Sequence, residues 1–182
     1  IVEGYMDVIS LYQAGFHNIV ASLGTAFTYQ QASLLKRYTN EVVLVYDSDA
    51  AGTKAALRAI PILSSVGLKV KVMQVPGEKD PDDFIKQNGS EAFQKLLHEA
   101  MGAVMFQVHI LRKKYNIEDT EQKIQFTTEV ADILSKLDHP IEQDAYLVQI
   151  SNDTGISRQS ILDEINRKRQ RRGNKNISKY QK

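Results

Sequence analysis

Apolar and polar positions change period several times along the chain, and each change marks an element. Val42-Val43-Leu44-Val45-Tyr46 is a continuous apolar run that stops at Asp47-Ser48-Asp49, the pattern of a buried parallel strand. Leu68 to Val75 alternates and predicts another strand, while Asn18-Ile19-Val20-Ala21 and the opening Ile1-Val2-Glu3 predict shorter ones. Helical spacing occupies the intervals: Met6, Val8, Ile9, Leu11 and Tyr12 before Gly15, then about Thr28 to Arg37, then Ala50 to Ser65 closed by Gly67. Ser22 to Thr25 and Pro76 to Lys79 read as loops. Strands alternating with helices imply right-handed crossovers and a parallel, Rossmann-like sheet.

Beyond Asp80 the period is helical only, and no further strand is expected. Asp80-Pro81-Asp82-Asp83 places proline and acids at a helix start. Helices are predicted over about Ala103 to Tyr115 and Thr120 to Leu137, where Phe126, Val130, Ile133, Leu134 and Leu137 make one stripe. Two more open at Pro140 and Ser157, which together predict a helical bundle. The expected division is 1–97 for the α/β part, 98–166 for the helical part and 167–182 for a basic tail. Only two strand-like residues precede Glu3, against roughly five or six in a typical strand, so the reading is of a fragment of a longer protein.

Composition narrows the chemistry. With no cysteine there is neither disulfide nor thiolate zinc site, and His17, His98, His109 and His139 show no metal spacing. No apolar run approaches the roughly 18 residues that span a bilayer, and no leader is visible, so the expected setting is the cytoplasm, away from membranes. The net charge of +1 conceals a division: residues from Arg167 onward carry eight bases and no acid, leaving 15 bases against 22 acids before them. The acidic body repels nucleic acid unless cations fill it or another domain supplies positive surface, and the tail reads as a solvated linker.

The acids themselves are patterned. Asp47 and Asp49, spaced i and i+2, can point one way at the carboxyl end of a strand while Ser48 turns aside. Glu3 and the pair Asp80 and Asp82 also follow predicted strands, and a parallel sheet gathers such ends along one edge. Asp7, one turn after Glu3, is read as an orienting residue. Convergent carboxylates repel unless a cation or proton intervenes, and hard oxygen donors favour Mg²⁺ or Mn²⁺. Gly52, just inside the next helix, allows close approach of backbone or phosphate.

Four motifs in order, Glu3-Gly4-Tyr5-Met6-Asp7-Val8, Ala21-Ser22-Leu23-Gly24-Thr25, Tyr46-Asp47-Ser48-Asp49-Ala50-Ala51-Gly52 and Pro76-Gly77-Glu78-Lys79-Asp80-Pro81-Asp82, resemble the Toprim core of bacterial DnaG-type DNA primases. The downstream helices resemble that family's helical subdomain. The resemblance implies an α/β Toprim fold followed by a C-terminal helical bundle, and synthesis of RNA primers from ribonucleoside triphosphates on single-stranded DNA. It implies that Glu3 is an acid/base or metal ligand, that Asp47 and Asp49 are catalytic metal ligands, and that Asp80 and Asp82 are a further metal pair, with Gly4, Asp7 and Gly52 in support. Ser48 stands where many relatives have glycine. The resemblance further implies that the zinc-binding domain, the basic first part of the polymerase domain and the helicase-binding domain lie outside this chain.

Two cations roughly 4 Å apart would activate a primer 3′-hydroxyl and neutralise the departing pyrophosphate. Rival readings are another Toprim enzyme of topoisomerase or nuclease type, an Asp-x-Asp phosphatase whose first acid attacks phosphate, and a helix-turn-helix DNA-binding module over Leu147 to Ile161 in which Arg158 contacts DNA. The topoisomerase reading needs a tyrosine nucleophile, and Tyr5, Tyr12 and Tyr46 lack the surroundings of one. Asp47-Ser48-Asp49-Ala50 lacks the threonine or valine usual after the phosphatase motif.

Overall fold

The computed structural model describes residues 1–24, 27–77 and 80–180, with side chains described as far as 174. Thr25, Glu78 and Lys79 of the motifs, and the side chains of Lys175, Lys179 and Lys182 in the basic tail, lie outside the described residues. Two compact units divide the chain, Ile1–Ala103 and Val104–Lys182.

In the first unit the order is α1 (Tyr5–Gln13), α2 (Tyr29–Lys36), β1 (Glu41–Tyr46), α3 (Ala50–Ser65), β2 (Lys69–Gln74), α4 (Pro81–His98) and β3 (Met101–Gly102). Local chemistry sets the helix starts. Gln31 N–H donates to the Thr28 hydroxyl at 3.3 Å while the Gln31 side chain accepts from Thr28 N–H at 2.8 Å, a reciprocal cap that begins α2. Gly15 at φ 98° and Gly67 at φ 77° follow α1 and α3 in the left-handed region that glycine adopts without strain.

The strands β1 and β2 pair in parallel from Glu41↔Lys69 to Tyr46↔Gln74, with α3 as the crossover packed against both. On the other edge of β1, Ile1 N–H donates to Val43 O at 2.7 Å and Val45 N–H to Ile1 O at 2.8 Å. Val2 in turn pairs in parallel with Ala21. The predicted segments at 1–3 and 18–21 therefore extend the array, as bridges shorter than strands. Val2, Leu11, Val45, Met73, Val75, Phe84, Ile85 and Phe93 form a core that holds α1 and α4 to the sheet. Against the expectation of no strand after Val75, β3 runs antiparallel to β2 through Lys71↔Gly102 and Val72↔Met101. Two residues carry no hydrophobic period, so the sequence pattern contains no trace of it. Because β3 joins this sheet, the unit runs on to Ala103, beyond the expected border at 97.

In the second unit, α5 (Ala103–Lys114), α6 (Thr120–Leu134), α7 (Pro140–Thr154) and α8 (Arg158–Tyr180) form the helical part. Asp119 caps α6 by accepting from Gln122 N–H at 2.9 Å, Pro140 occupies the first turn of α7, and Gly155 at φ 71° ends it. Phe126, Val130, Leu134, Leu147, Ile150, Ile161 and Ile165 make the core, and the predicted stripe faces into it.

The basic segment corrects the expectation of a solvated linker. It continues α8, and two of its arginines hold it to the end of α6. The Arg169 guanidinium donates to Ser135 O at 3.2 Å and Leu137 O at 2.7 Å, and Arg172 donates to both the carbonyl and the carboxylate of Asp132. A helix end exposes carbonyls without intrahelical partners, and the planar fork of arginine satisfies several at once. Charge density alone gives no sign of this, because composition does not say where the carbonyls are.

Candidate metal centre

Parallel pairing sends the Ile1–Val2 segment, β1 and β2 toward a common carboxyl edge, and the acids follow where each ends. After Tyr46 the chain turns sharply. Ser48 Oγ donates to Val75 O at 2.6 Å, which ties the turn to the end of β2. Asp47 N–H donates to Glu3 Oε1 at 3.2 Å, which brings the first segment's acid to the same turn. At Gly52 an added Cβ would run into the carbonyl oxygen of Asp47 and sit 2.9 Å from its carbonyl carbon and amide nitrogen. Of the two partners anticipated for Gly52, the structure therefore supplies backbone.

Asp49 does not simply continue a strand face, because β1 ends at Tyr46. Its Oδ1 accepts from Gly52 N–H at 2.7 Å and caps α3. The exposed Asp49 carboxylate still acts electrostatically on Asp47. Asp80 performs the same task at α4, accepting from Asp83 N–H at 2.6 Å. Both acids thus have a structural task alongside any role toward a ligand.

Burial pushes the Asp47 carboxyl up to about 6, and the negative charges of Glu3, Asp7, Asp80 and Asp49 push in the same direction. Asp7, only 7% exposed, is raised first by burial. Its Oδ2 accepts from Gly4 N–H at 3.0 Å, which opposes that shift, as does a hydrogen bond from the Asp82 backbone, while the negative charges of Asp80 and Asp82 add to it. Asp7 therefore sits inside the electrostatic cluster, a more central place than the orienting one expected from its sequence position. Gly4 serves as the N-cap of α1. Asp82 behaves oppositely: Lys86 at 2.6 Å and the Ser10 hydroxyl hold its carboxyl below the usual range.

Among the described residues, one group of potential ligands has all its atoms within 4.8 Å: Asp80, Asp82 and Asp83. Asp83 was not anticipated, since a reading by i, i+2 pairs passes over the third acid of Asp-Pro-Asp-Asp. Glu3, Asp47 and Asp49 are brought to one turn without meeting that closer spacing. Arg158 lies in the other unit and is ion-paired with Asp144. The donor set consists of carboxylates, and the raised affinity of Asp47 and Asp7 for protons reflects burial first and mutual repulsion second, both of which a bound cation would offset. Those residues fit a hard divalent ion.

A Toprim-like family model matches residues 1–85, and a model described as the DnaB-helicase binding domain of primase matches residues 104–159. The latter lies within the chain, in contrast to the expectation that helicase-binding sequence lies outside it. The DNA primase of Clostridium acetobutylicum is 45% identical over the whole of this chain, and that of Listeria monocytogenes is 36% identical over 91% of it. The chain spans 30% and 27% of their respective lengths. A crystal structure of a DNA primase domain from Pseudomonas aeruginosa superposes with a TM-score of 0.75 at 30% identity, over 91% of this chain and 53% of that one. A DnaG primase catalytic domain bound to single-stranded DNA gives 0.73 at 30% identity, over 87% and 52%.

Proposed function

The chain belongs to the bacterial DnaG-type primase family, as a Toprim core with its helical segment, and on that premise we propose that it supplies the metal-binding half of a primer-synthesis site. The reaction is RNA primer synthesis from ribonucleoside triphosphates on single-stranded DNA, in the bacterial cytoplasm. The observation that carries this reading is the gathering of acids at one turn after β1, where Asp47 N–H donates to Glu3 Oε1 at 3.2 Å and Ser48 Oγ ties the turn to the end of β2.

Each residue has a distinct task. Glu3, Asp47 and Asp49 hold Mg²⁺ or Mn²⁺ at the turn after β1, while Asp80 and Asp82, joined by Asp83, offer a second set at the start of α4. When bound, the ions supply activation of the primer 3′-hydroxyl and charge neutralisation at the pyrophosphate. Asp7 sets the negative potential from beneath and fixes the first turn of α1 through Gly4. Gly52 keeps α3 against the Asp47 backbone, so the carboxylate is positioned before any ion arrives. Lys86 engages Asp82 and must yield it for that acid to act as a ligand.

The Val104-to-Gln159 segment, matching a helicase-binding model, is the proposed contact to a replicative helicase. The net-acidic body gives the metal-binding half no positive template track of its own, and little primer is expected from the chain unaided. The rival readings gain no support: the relatives and structural neighbours named above are DNA primases, and Arg158 pairs with Asp144. Calorimetric titration with Mn²⁺ tests the assignment. Asp47→Ala/Asp49→Ala is expected to lose at least tenfold in affinity, and unchanged affinity would overturn it.

A further inference from the structure

The basic end of α8 is bound to the helical unit in a way that leaves specific cations displayed. Arg169 is spent on the carbonyls of Ser135 and Leu137, and Arg172 on Asp132. Arg167 pairs with Glu164 at 3.0 Å. Lys168 pairs more loosely with the same glutamate, at 3.8 Å, and its charge also reaches Glu129. Arg171 is exposed and has no ion pair or hydrogen bond among the described residues. Lys168, Arg171, Arg172 and Asn174 border an open groove of about 400 Å³ on the α8 surface, with Asp132 as its single acid.

Helical geometry explains the row. Residues 168, 171 and 172 follow i, i+3 and i+4, so the backbone of α8 places them along one stripe. Had the segment been a solvated linker, its charges would be spread over many conformations. Anchored by Arg169, they are fixed relative to the bundle, and a rigid array loses less entropy on binding a polyanion. Arginine offers a planar fork that meets phosphate oxygens in pairs, and the neighbouring Gln170 and Asn174 add uncharged donors.

We infer that this stripe on α8 binds the sugar-phosphate backbone of a single nucleic-acid strand, independently of base sequence. The inference rests on the primase reading only for why a strand is nearby. The stripe binds the strand directly, without cations. An acidic protein segment is the competing occupant. It is less favoured because carboxylates are singly charged and separated along a chain, whereas a strand presents a phosphate at every residue.

The test uses the full 182-residue chain and a fluorescent oligodeoxythymidylate, with anisotropy measured in EDTA so that the acidic site contributes nothing. Binding should weaken with salt at a log–log slope of about −2, as expected for roughly three phosphate contacts on a single strand. Lys168→Glu/Arg171→Glu should weaken binding about tenfold or more and bring the slope close to zero, and Arg171→Glu alone, which breaks no ion pair, should weaken binding with an unchanged melting curve. Because EDTA leaves the acidic site without cations, this outcome does not depend on the metal assignment and is distinguishable from its failure. Unchanged affinity and slope in the charge-reversed variant would overturn the inference. Equal affinity for polyglutamate would also overturn it, by assigning the stripe to acidic protein.

Discussion

At the scale of single residues, the turn from Asp47 to Gly52 shows how packing and charge constrain one another. Gly52 is required because an added methyl meets main chain, which cannot rotate away. Gly52→Ala is expected to cost about 2–3 kcal/mol in urea unfolding, a typical overpacking penalty, and to weaken Mn²⁺ binding by moving Asp47. Asp47 gives a prediction with a definite sign. Its folded-state carboxyl lies near 6, above the ordinary 3.8, so folding favours the protonated form. The stability it contributes is full below about pH 4 and is lost as pH rises through 6. In EDTA at pH 8, Asp47→Asn should therefore be more stable than the parent. The full shift corresponds to about 3 kcal/mol, and partial exposure reduces the expectation to about 1 kcal/mol. Near pH 4 the two proteins should have the same urea midpoint, and saturating Mn²⁺ at pH 8 should reverse their order. A parent that stays the more stable at pH 8 without metal would contradict the charge cluster.

At the scale of elements, what could be read from the sequence depended on whether an element states its own boundaries. The helix Ala50–Ser65 is announced on both sides, by Asp49 as its cap and by Gly67 after it. β1 is announced by five apolar residues ending in acids. β3 is not announced, because Met101–Gly102 pairs through backbone alone and two residues hold no pattern. The site shows the same contrast. Glu3, Asp47 and Asp80 were legible from their places after strands, whereas Asp83 and the depth of Asp7 depend on how α4 and α1 turn their first residues. The role of Asp49 shifted for a related reason: i, i+2 convergence presumes a strand, and β1 has already ended. Helix α6 was legible as a stripe, and its burial sets an expected cost. Phe126 is fully buried, so Phe126→Ala should lose about 3–5 kcal/mol from the unfolding free energy of the helical unit. Retention of the parent's stability would mean that the cluster around it collapses to fill the space.

At the scale of the whole molecule, the sharpest contrast of charge falls inside the second unit, whose residues 104–166 carry eleven acids and six bases and whose remainder from Arg167 carries eight bases and no acid. The acids that act on Asp47 belong to Ile1–Ala103, and the basic run belongs to Val104–Lys182. Each unit also has its own apolar core, Val45 and Met73 with Phe84 in one, Phe126 and Ile150 with Ile165 in the other. A ligand that binds only folded carboxylates therefore stabilises the unit that carries them, by an amount set by its concentration over its dissociation constant. At a Mn²⁺ concentration a hundredfold above that constant, the gain is about 2.7 kcal/mol, which slows globally limited amide exchange roughly a hundredfold. Hydrogen exchange followed by mass spectrometry should show this slowing in peptides covering β1 and β2, whose amides open only when their unit unfolds. Peptides covering α6 and α7 should exchange at the same rate with and without the ion. Equal slowing in both units would mean that they unfold together, and slowing in the helical unit alone would place the cation site away from Asp47.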